Sequence, residues 1–513
     1  MRELALVLHT HLPWVAGHGR WPVGEEWLHQ VRTASWLRVT GVLEDAAAAG
    51  LRDVLTLGVT PTVAWQVADP RLADESAGWL AGAVWRSEEQ RHHHRMGPEV
   101  TALGPYWWRH FAGLAAHHAD VEARGGLLGV WRGLAEDGVV ELLAGPATHA
   151  LLPLEDEDVV AAQLATGVDA HLAWAGVPRP VGLWPPELGH APGLADRLAA
   201  HGVGHVVLDG PTVAAVDPAG ARHGLRHGVR LGATDVAAFV RDRELSERVW
   251  ADPGGYPGDP WYLDHHATGG YGVHRSWRVT DLARPPDAKE PYVPARAAAR
   301  TAAHADDLVA AVRAALADEP DGLAVVALDT ELLGHWWHEG PEWLARVIDR
   351  VAHAPDLGLT TLTRRAATHP PTRTVAEPTG TWAPDGGTSR WTEGAAAPLR
   401  ARAVATVAAA RATLRGGRGP AAARAAVGRG VALLTASDWT FMAGGDRAAG
   451  YAAARVADHA VEVEAVLAAI AAGDDDAALV AATGATVGAP VPPDAAAFVA
   501  ALDPAGPEAA ARG

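Results

Sequence analysis

The stretch LAVVALDTELLGHWWHEG, residues 323–340, decides the architecture. Its first six residues form an unbroken apolar run, the pattern of a strand covered on both faces in a parallel sheet. At Asp329 the character changes at once to acids (Asp329, Glu331, Glu339), histidines (His335, His338) and paired tryptophans (Trp336, Trp337). In a β/α barrel the residues just past the carboxyl ends of the strands line the reaction face, so this run predicts such a face. A second place repeats the pattern: residues 181–184 (VGLW) lead into PPELGH and deliver Glu187. Two acids from different strand ends, set among tryptophans, point to glycosidic-bond chemistry, which needs one carboxyl to attack and one to carry a proton.

Further apolar runs at 4–8, 54–57, 139–143, 205–208 and 236–240 alternate with helical patterns. That alternation predicts an α/β fold with a parallel sheet and helices on its face. The strand ends deliver His9 and His11, Thr60, His149, Glu187, Asp209, Arg241 with Asp242, and Asp329 with Glu331. Residues 357–362 read either as an eighth strand or as a closing edge. Two segments interrupt the alternation. Residues 76–128 are helical and His-rich, while 251–275 form a long loop rich in Gly and aromatics, the kind that commonly carries function. Within that loop Tyr256 reads as part of a mobile lid, with a static anchor as the alternative. Pro and Gly punctuate 370–387 and predict a boundary, giving a catalytic barrel over 1–372, a helical domain over 373–472 that completes the cleft, and an Ala/Pro-rich appendage over 473–513.

Composition narrows the partners. The formal net charge of -18 argues against nucleic acid and against an anionic membrane surface, both of which need a basic face. The absence of cysteine removes disulfides, thiolate metal sites and a Cys nucleophile. No apolar span of about 18 residues occurs, and the N-terminal apolar stretch is too short for a signal peptide, so a cytoplasmic monomer or small homo-oligomer is expected. Tryptophan outnumbers the other aromatics, 21 against 4 Phe and 6 Tyr. Packing alone would favour Phe, whereas indole offers a flat face with a donor at its edge, which suits a sugar ring.

Each candidate also has a plainer reading. Pro185 and Pro186 keep the chain out of a helix and would hold Glu187 at the strand tip beside Trp184 and His190; otherwise Glu187 is a charge at a helix N-terminus. Asp329 could be an ordinary helix N-cap. Glu331 reads as support and substrate contact. His9-x-His11 suits hydrogen bonding to sugar hydroxyls or a divalent metal. With no Cys ligand and no second tight pair beyond His335-x-x-His338, no metal or other cofactor is expected. The run His92, His93, His94 reads as solvated surface.

Six separated strings, LHTHLPWV, GHGRWPVGEEWL, ELLAGPATHALLPL, GLWPPELGH, LDTELLGHWWHEGPEWL and ASDWTFMAGGDRAAGYAAAR, occur in the order of the sequence regions of glycoside hydrolase family 57, which the chain resembles from residue 1 to about 466. The resemblance implies an incomplete (β/α)7 TIM-like barrel with helical insertions, an all-α C-terminal domain and a retaining mechanism without metal. It implies α-1,4-glucan branching as the activity and an α-glucan as substrate, with hydrolysis or α-1,4 to α-1,4 transfer by the same residues as the alternative. A metal-dependent hydrolase or deacetylase using His9 and His11 is more remote. By motif position Glu187 resembles the nucleophile and Asp329 the general acid/base. His9, His149, Trp277, Trp382, Trp391 and Asp438 look like donor-site residues, and Tyr256 like the mobile-loop tyrosine. His11, Trp21, Trp184, Glu331, His335, Trp336 and Trp439 complete the expected substrate contacts. The chain departs from the pattern after Trp391, where TEGAAAPLRARAVATVAAAR follows, and in a shortened stretch between Tyr262 and Trp277. Both lie on the acceptor side as the family would build it.

Overall fold

The computed structural model describes residues 1–510 except 22, 93–96, 252, 268–273, 286–287, 446–447 and 493–494. Its strands are β1 (Arg2–Thr10), β2 (Leu55–Val59), β3 (Val140–Leu143), β4 (Val181–Leu183), β5 (Val203–Asp209), β6 (Val229–Leu231), β7 (Ala237–Arg241), β8 (Leu323–Asp329), β9 (Leu357–Leu359) and β10 (Thr374–Val375). One sheet runs β3-β2-β1-β8 with β9 on the start of β1; the other runs β10-β6-β7-β5-β4. Two narrow seams join them. A parallel bridge links Ala144, just past β3, to Leu183 of β4, and the Asp242 N–H after β7 donates to the Val325 carbonyl of β8 over 2.9 Å. Seven parallel strands, β1, β2, β3, β4, β5, β7 and β8, therefore circle a barrel whose seams are single contacts rather than ladders. This is the incomplete (β/α)7 barrel.

The apolar runs are continuous because both of their faces are covered. Alternate residues Ala5, Val7, Val325 and Ala327 fill the barrel interior with Leu143, Val207 and Phe239. The residues between them, Leu4, Leu6, Leu8, Val326 and Leu328, pack outward into the helical layer. This is the two-residue period of a strand expressed in two separate cores.

Several elements differ from the sequence reading. Residues 357–362 supply a closing edge: β9 lies on Arg2–Leu4, and Thr361 then caps the helix Leu362–Thr368 by accepting from the Arg364 N–H. β6 is antiparallel to β7, and β10 pairs with β6 in turn. Strands of two or three residues leave no periodicity to read. β10 carries the second sheet past 372, so that sheet continues beyond the boundary drawn there. The helical insertion begins at Pro70, capped by Asp69, and consists chiefly of Pro70–Arg91 packed on Gly104–Ala123. His93 and His94 lie outside the described residues, as does part of 251–275.

The segment after Trp391 that departs from the pattern is the helix Ala396–Leu414, whose Arg400 pairs with Glu155 and whose Arg411 pairs with Asp156. It docks on the barrel with Ala421–Leu434 and Ala449–Ala472. The expected appendage is an integral part of this core. Helix Ala496–Leu502 presents Phe498, Val499 and Leu502 on an apolar stripe, and Phe498 is fully buried against the helices Glu157–Ala175 and Ala421–Leu434. Low complexity in composition hid a regular apolar spacing. Among the described residues no helix is long and apolar enough to cross a membrane.

Candidate active site

Glu187 leaves β4 through Pro185 and enters a three-residue 3-10 turn, Pro186–Leu188. It sits at φ 58°, ψ 20°, and Leu188 follows at φ 49°. Side chains other than Gly rarely adopt this left-handed region, and such conformations concentrate where function demands a fixed geometry. Among the described residues five non-glycines have positive φ, and three of them, His149, Glu187 and Leu188, stand at this end of the barrel. Trp382 fastens Glu187 at two points. Its Nε1–H donates to Oε2 of Glu187 at 2.7 Å, and its backbone N–H donates to the Glu187 carbonyl at 2.9 Å.

Asp329 closes β8 opposite His9 in register. Its side chain makes no capping hydrogen bond to the turn that follows, which removes the N-cap reading, and it opens into the cleft. Burial pushes the Glu187 carboxyl up to about 8, with the charges of Asp329 and Asp438 adding to the shift and the Trp382 hydrogen bond opposing it. The protein packed around Asp329 raises it to about 6, against the pull of His11 and Arg241. Asp329 is itself exposed, so accessibility and a partly desolvated surrounding coexist there. The two carboxyls thus interact, and at neutral pH the pair carries a proton.

Glu331 is buried beside them. Its Oε1 accepts from Trp36 Nε1–H at 2.5 Å and from the His11 N–H at 3.1 Å. Burial and the neighbouring Asp329 hold its carboxyl well above the usual range.

His9, His11 and His149 form a ring stack above Trp184. His9 lies flat on Trp184 at 4.6 Å, and His11 lies on His149 at 3.7 Å with 15° between planes. His9 Nε2 and His149 Nε2 are 3.0 Å apart. From the other rings' free nitrogens, His149 Nδ1 meets Ser437 Oγ at 3.0 Å, and His11 meets Asp438 Oδ1 at 2.8 Å and Thr60 Oγ1 at 3.1 Å. Burial lowers His9 and His149 well below the ordinary imidazole range, with His11 adding in each case, so both are neutral. Among the described residues these three histidines are the group that could hold a metal. Their geometry disfavours it. An imidazole lone pair lies in its ring plane, and two nearly parallel stacked rings cannot both direct one at a common ion, while the His9–His149 contact is already a hydrogen bond.

The remaining expected contacts divide. Trp382 and Trp184 meet edge to face at 5.6 Å on the Glu187 side. His335 and Trp336 stand with His265 on the turn after Glu331, Trp336 being 40% exposed. Trp277 is half-buried in a bridge to Pro291, and Trp21 is 74% exposed on the loop after β1. Three residues need correction. Trp391 is buried against Leu151 and Ala383. Trp439 is buried with Met442 and Ala452, its Nε1–H given to the Leu433 carbonyl. At 1% exposed neither offers a face to a sugar: Trp391 is packed among barrel-loop residues and Trp439 among the C-terminal helices. Tyr256 is likewise an anchor: 7% exposed, it stacks on His304 at 4.3 Å and donates its hydroxyl to Asp307 Oδ2 at 2.7 Å. Asp252, in the same loop, lies outside the described residues. Sequence reasoning missed Trp36 and Ser437, and named Thr60 only as a strand-end residue. Only Ser437 left a signal, by standing next to Asp438 in a quoted string.

An alignment-level match to the family described as Glycosyl hydrolase family 57 covers residues 5–377, and one to the 1,4-alpha-glucan branching enzyme C-terminal region covers 400–486. The chain is 35% identical, over 92% of its length and 93% of the relative's, to a probable 1,4-alpha-glucan branching enzyme of Mycobacterium tuberculosis. It is 29% identical to a 1,4-alpha-glucan branching enzyme of Thermococcus kodakarensis over 67% of this chain and 55% of that one. Among solved structures, a GH57-type branching enzyme of Pyrococcus horikoshii superposes with a TM-score of 0.85 at 27% identity, covering 96% of each chain. The α-amylase AmyC of Thermotoga maritima shares the fold with a TM-score of 0.79 at 22% identity, covering 94% of this chain and 97% of that one.

Proposed function

The chain belongs to glycosyl hydrolase family 57, and from that membership we propose that it is a 1,4-alpha-glucan branching enzyme, cutting an α-1,4 link and moving the freed chain to a 6-hydroxyl. The observation that carries the chemistry is the coupled pair at the ends of β4 and β8, one carboxyl pinned and the other open to the cleft. The choice of branching rests on similarity over nearly the full length to a branching-enzyme relative.

In this reading Glu187 is the nucleophile. Trp382 occupies Oε2 and leaves Oε1 to attack the anomeric carbon. Asp329, reached from the cleft, gives its proton to the departing O4 as the C1–O4 bond breaks, and a covalent glycosyl-enzyme forms. Asp329 then takes the proton of an acceptor 6-hydroxyl, O6 attacks C1, and Glu187 departs. The reactive state has the pair's proton on Asp329 and Glu187 ionised; burial favours the proton on Glu187, and the Trp382 hydrogen bond opposes that shift. Neutral His9 and His149, with His11 and Asp438, offer hydrogen-bonding groups to sugar hydroxyls at the donor side, and Trp336 and Trp21 offer faces farther out. The proposal carries with it an α-glucan as substrate, a cytoplasmic setting and a monomer or small homo-oligomer.

The test is an amylose incubation followed by debranching and sizing of the released chains. New α-1,6-linked chains without a matching rise in reducing ends support branching; reducing ends alone would identify a hydrolase, and longer linear chains an α-1,4 transferase.

A further inference from the structure

Asp209 and Arg241 were legible as strand-end polar residues, yet the two-carboxyl chemistry does not use them; Arg243 opens the helix that follows β7. Asp209 ends β5 with its side chain fully buried. Its Oδ1 accepts from Arg241 Nη1 at 2.9 Å, and its Oδ2 accepts from Arg243 Nε at 2.9 Å and from Arg243 Nη2. The same Nη2 also reaches the carbonyls of Trp382 at 3.4 Å and Ala383 at 3.2 Å, and Nη1 reaches the Pro384 carbonyl at 3.4 Å. Arg241 lies 5.7 Å over the Trp382 ring. This loop has no regular secondary structure of its own at Trp382, and the same indole bonds Glu187 through both its ring and its backbone.

We propose that Asp209 and Arg243 are positioning residues for Glu187, acting through the loop that carries Trp382. The planar guanidinium of arginine is what the site requires, since one carboxylate and a row of carbonyls must be held at fixed angles by the adjoining N–H groups of one rigid group. Lysine could keep the ion pair but not the row. The inference rests on Glu187 being the nucleophile.

The test uses the full-length enzyme as R243K, R243A, W382F and R243A/W382F. Nucleophile misplacement of this kind should lower kcat for R243A about ten- to hundredfold, with KM changed by less than about threefold. Removing the indole donor from a carboxylate raises its pKa, so the acid limb of the kcat/KM profile should move to higher pH in W382F and also in R243A. The double variant should lose no more than the worse single one, because both break the same linkage. R243K should keep the melting temperature while retaining part of the kcat loss, which covers the case in which R243A fails to fold. An unmoved acid limb in both R243K and R243A, or losses that multiply in the double variant, would overturn the proposal. E187A treated with azide checks the underlying reading separately: recovery of an inverted glycosyl azide supports it, and wild-type activity in E187A without azide would remove Glu187 as nucleophile whatever Arg243 does.

Discussion

At the scale of single residues, the site is costly for the fold it sits in. Burial raises the Glu187 carboxyl to about 8, so between the ordinary glutamate range and that value the folded chain holds a proton the unfolded chain has released. The folded state then binds more protons, and stability falls as pH rises through this window. Glu187→Gln should therefore abolish branching while raising the melting temperature by a few degrees at pH 8, with less effect at pH 4.5. Calorimetry at the two pH values checks it, and an unchanged or lowered melting temperature at pH 8 would contradict the burial argument. The same pair sets the activity profile. Below about 6 both carboxyls are protonated and the nucleophile is lost; above about 8 both are ionised and the acid is lost. A bell with its maximum between those limits is expected, its two midpoints belonging to the pair. The imidazole stack, by its ring planes, predicts that prolonged dialysis against a strong chelator leaves the rate unaltered. Activity lost to the chelator and restored by zinc or manganese would reverse that reading.

At the scale of elements, the strands were legible and their loops were not. The apolar runs announced β1, β5 and β8 because both sheet faces are buried, and the polar residues just past them announced the reaction face. β6 and β10 escaped because two or three residues carry no period. The site residues split along the same line: Glu187, Asp329, His9, His11, His149 and Asp438 follow strand ends or stand in distinctive strings, whereas Trp391 and Trp439 looked like sugar platforms only because a tryptophan's type does not reveal which side of a helix it serves. Tyr256 shows the same limit. Gly254, Gly255 and Gly258 suggested a moving segment, yet the tyrosine ring is sandwiched at His304 and its hydroxyl is committed to Asp307, itself paired with Arg248. Tyr256→Ala should then destabilise the enzyme by about 3–5 kcal/mol, the usual cost of emptying an aromatic site, and should lower branching and hydrolysis in equal proportion. Measuring both products and the melting temperature on one preparation decides between anchor and lid; a shifted product ratio at unchanged stability would favour the lid.

At the scale of the whole molecule, the barrel does not complete its own site. His11 of the first strand end is bonded to Asp438, and His149 to Ser437, so residues 427 and 288 positions apart meet over the cleft. Helix Ala496–Leu502 in turn buttresses the helix Ala421–Leu434 that precedes them, while also packing on the barrel helix Glu157–Ala175. Helix Ala496–Leu502 thus bears on the site through the packing of the helices that carry it. If the barrel and the C-terminal helices were separate folding units joined by a linker, weakening the last helix would melt one and spare the other. Shared burial of Phe498 with Val159 and Ala162 of the barrel helix and with Val427 of the C-terminal one argues for a single cooperative unit. Phe498→Ala should accordingly lower stability by about 3–5 kcal/mol, and the calorimetric trace should remain one transition displaced as a whole to lower temperature. Residual branching activity, followed along the same heating ramp, should vanish over that same interval. Two resolved transitions, with Glu187-dependent activity surviving the first, would show that the C-terminal helices merely lean on the barrel and that Asp438 and Ser437 are dispensable to its fold.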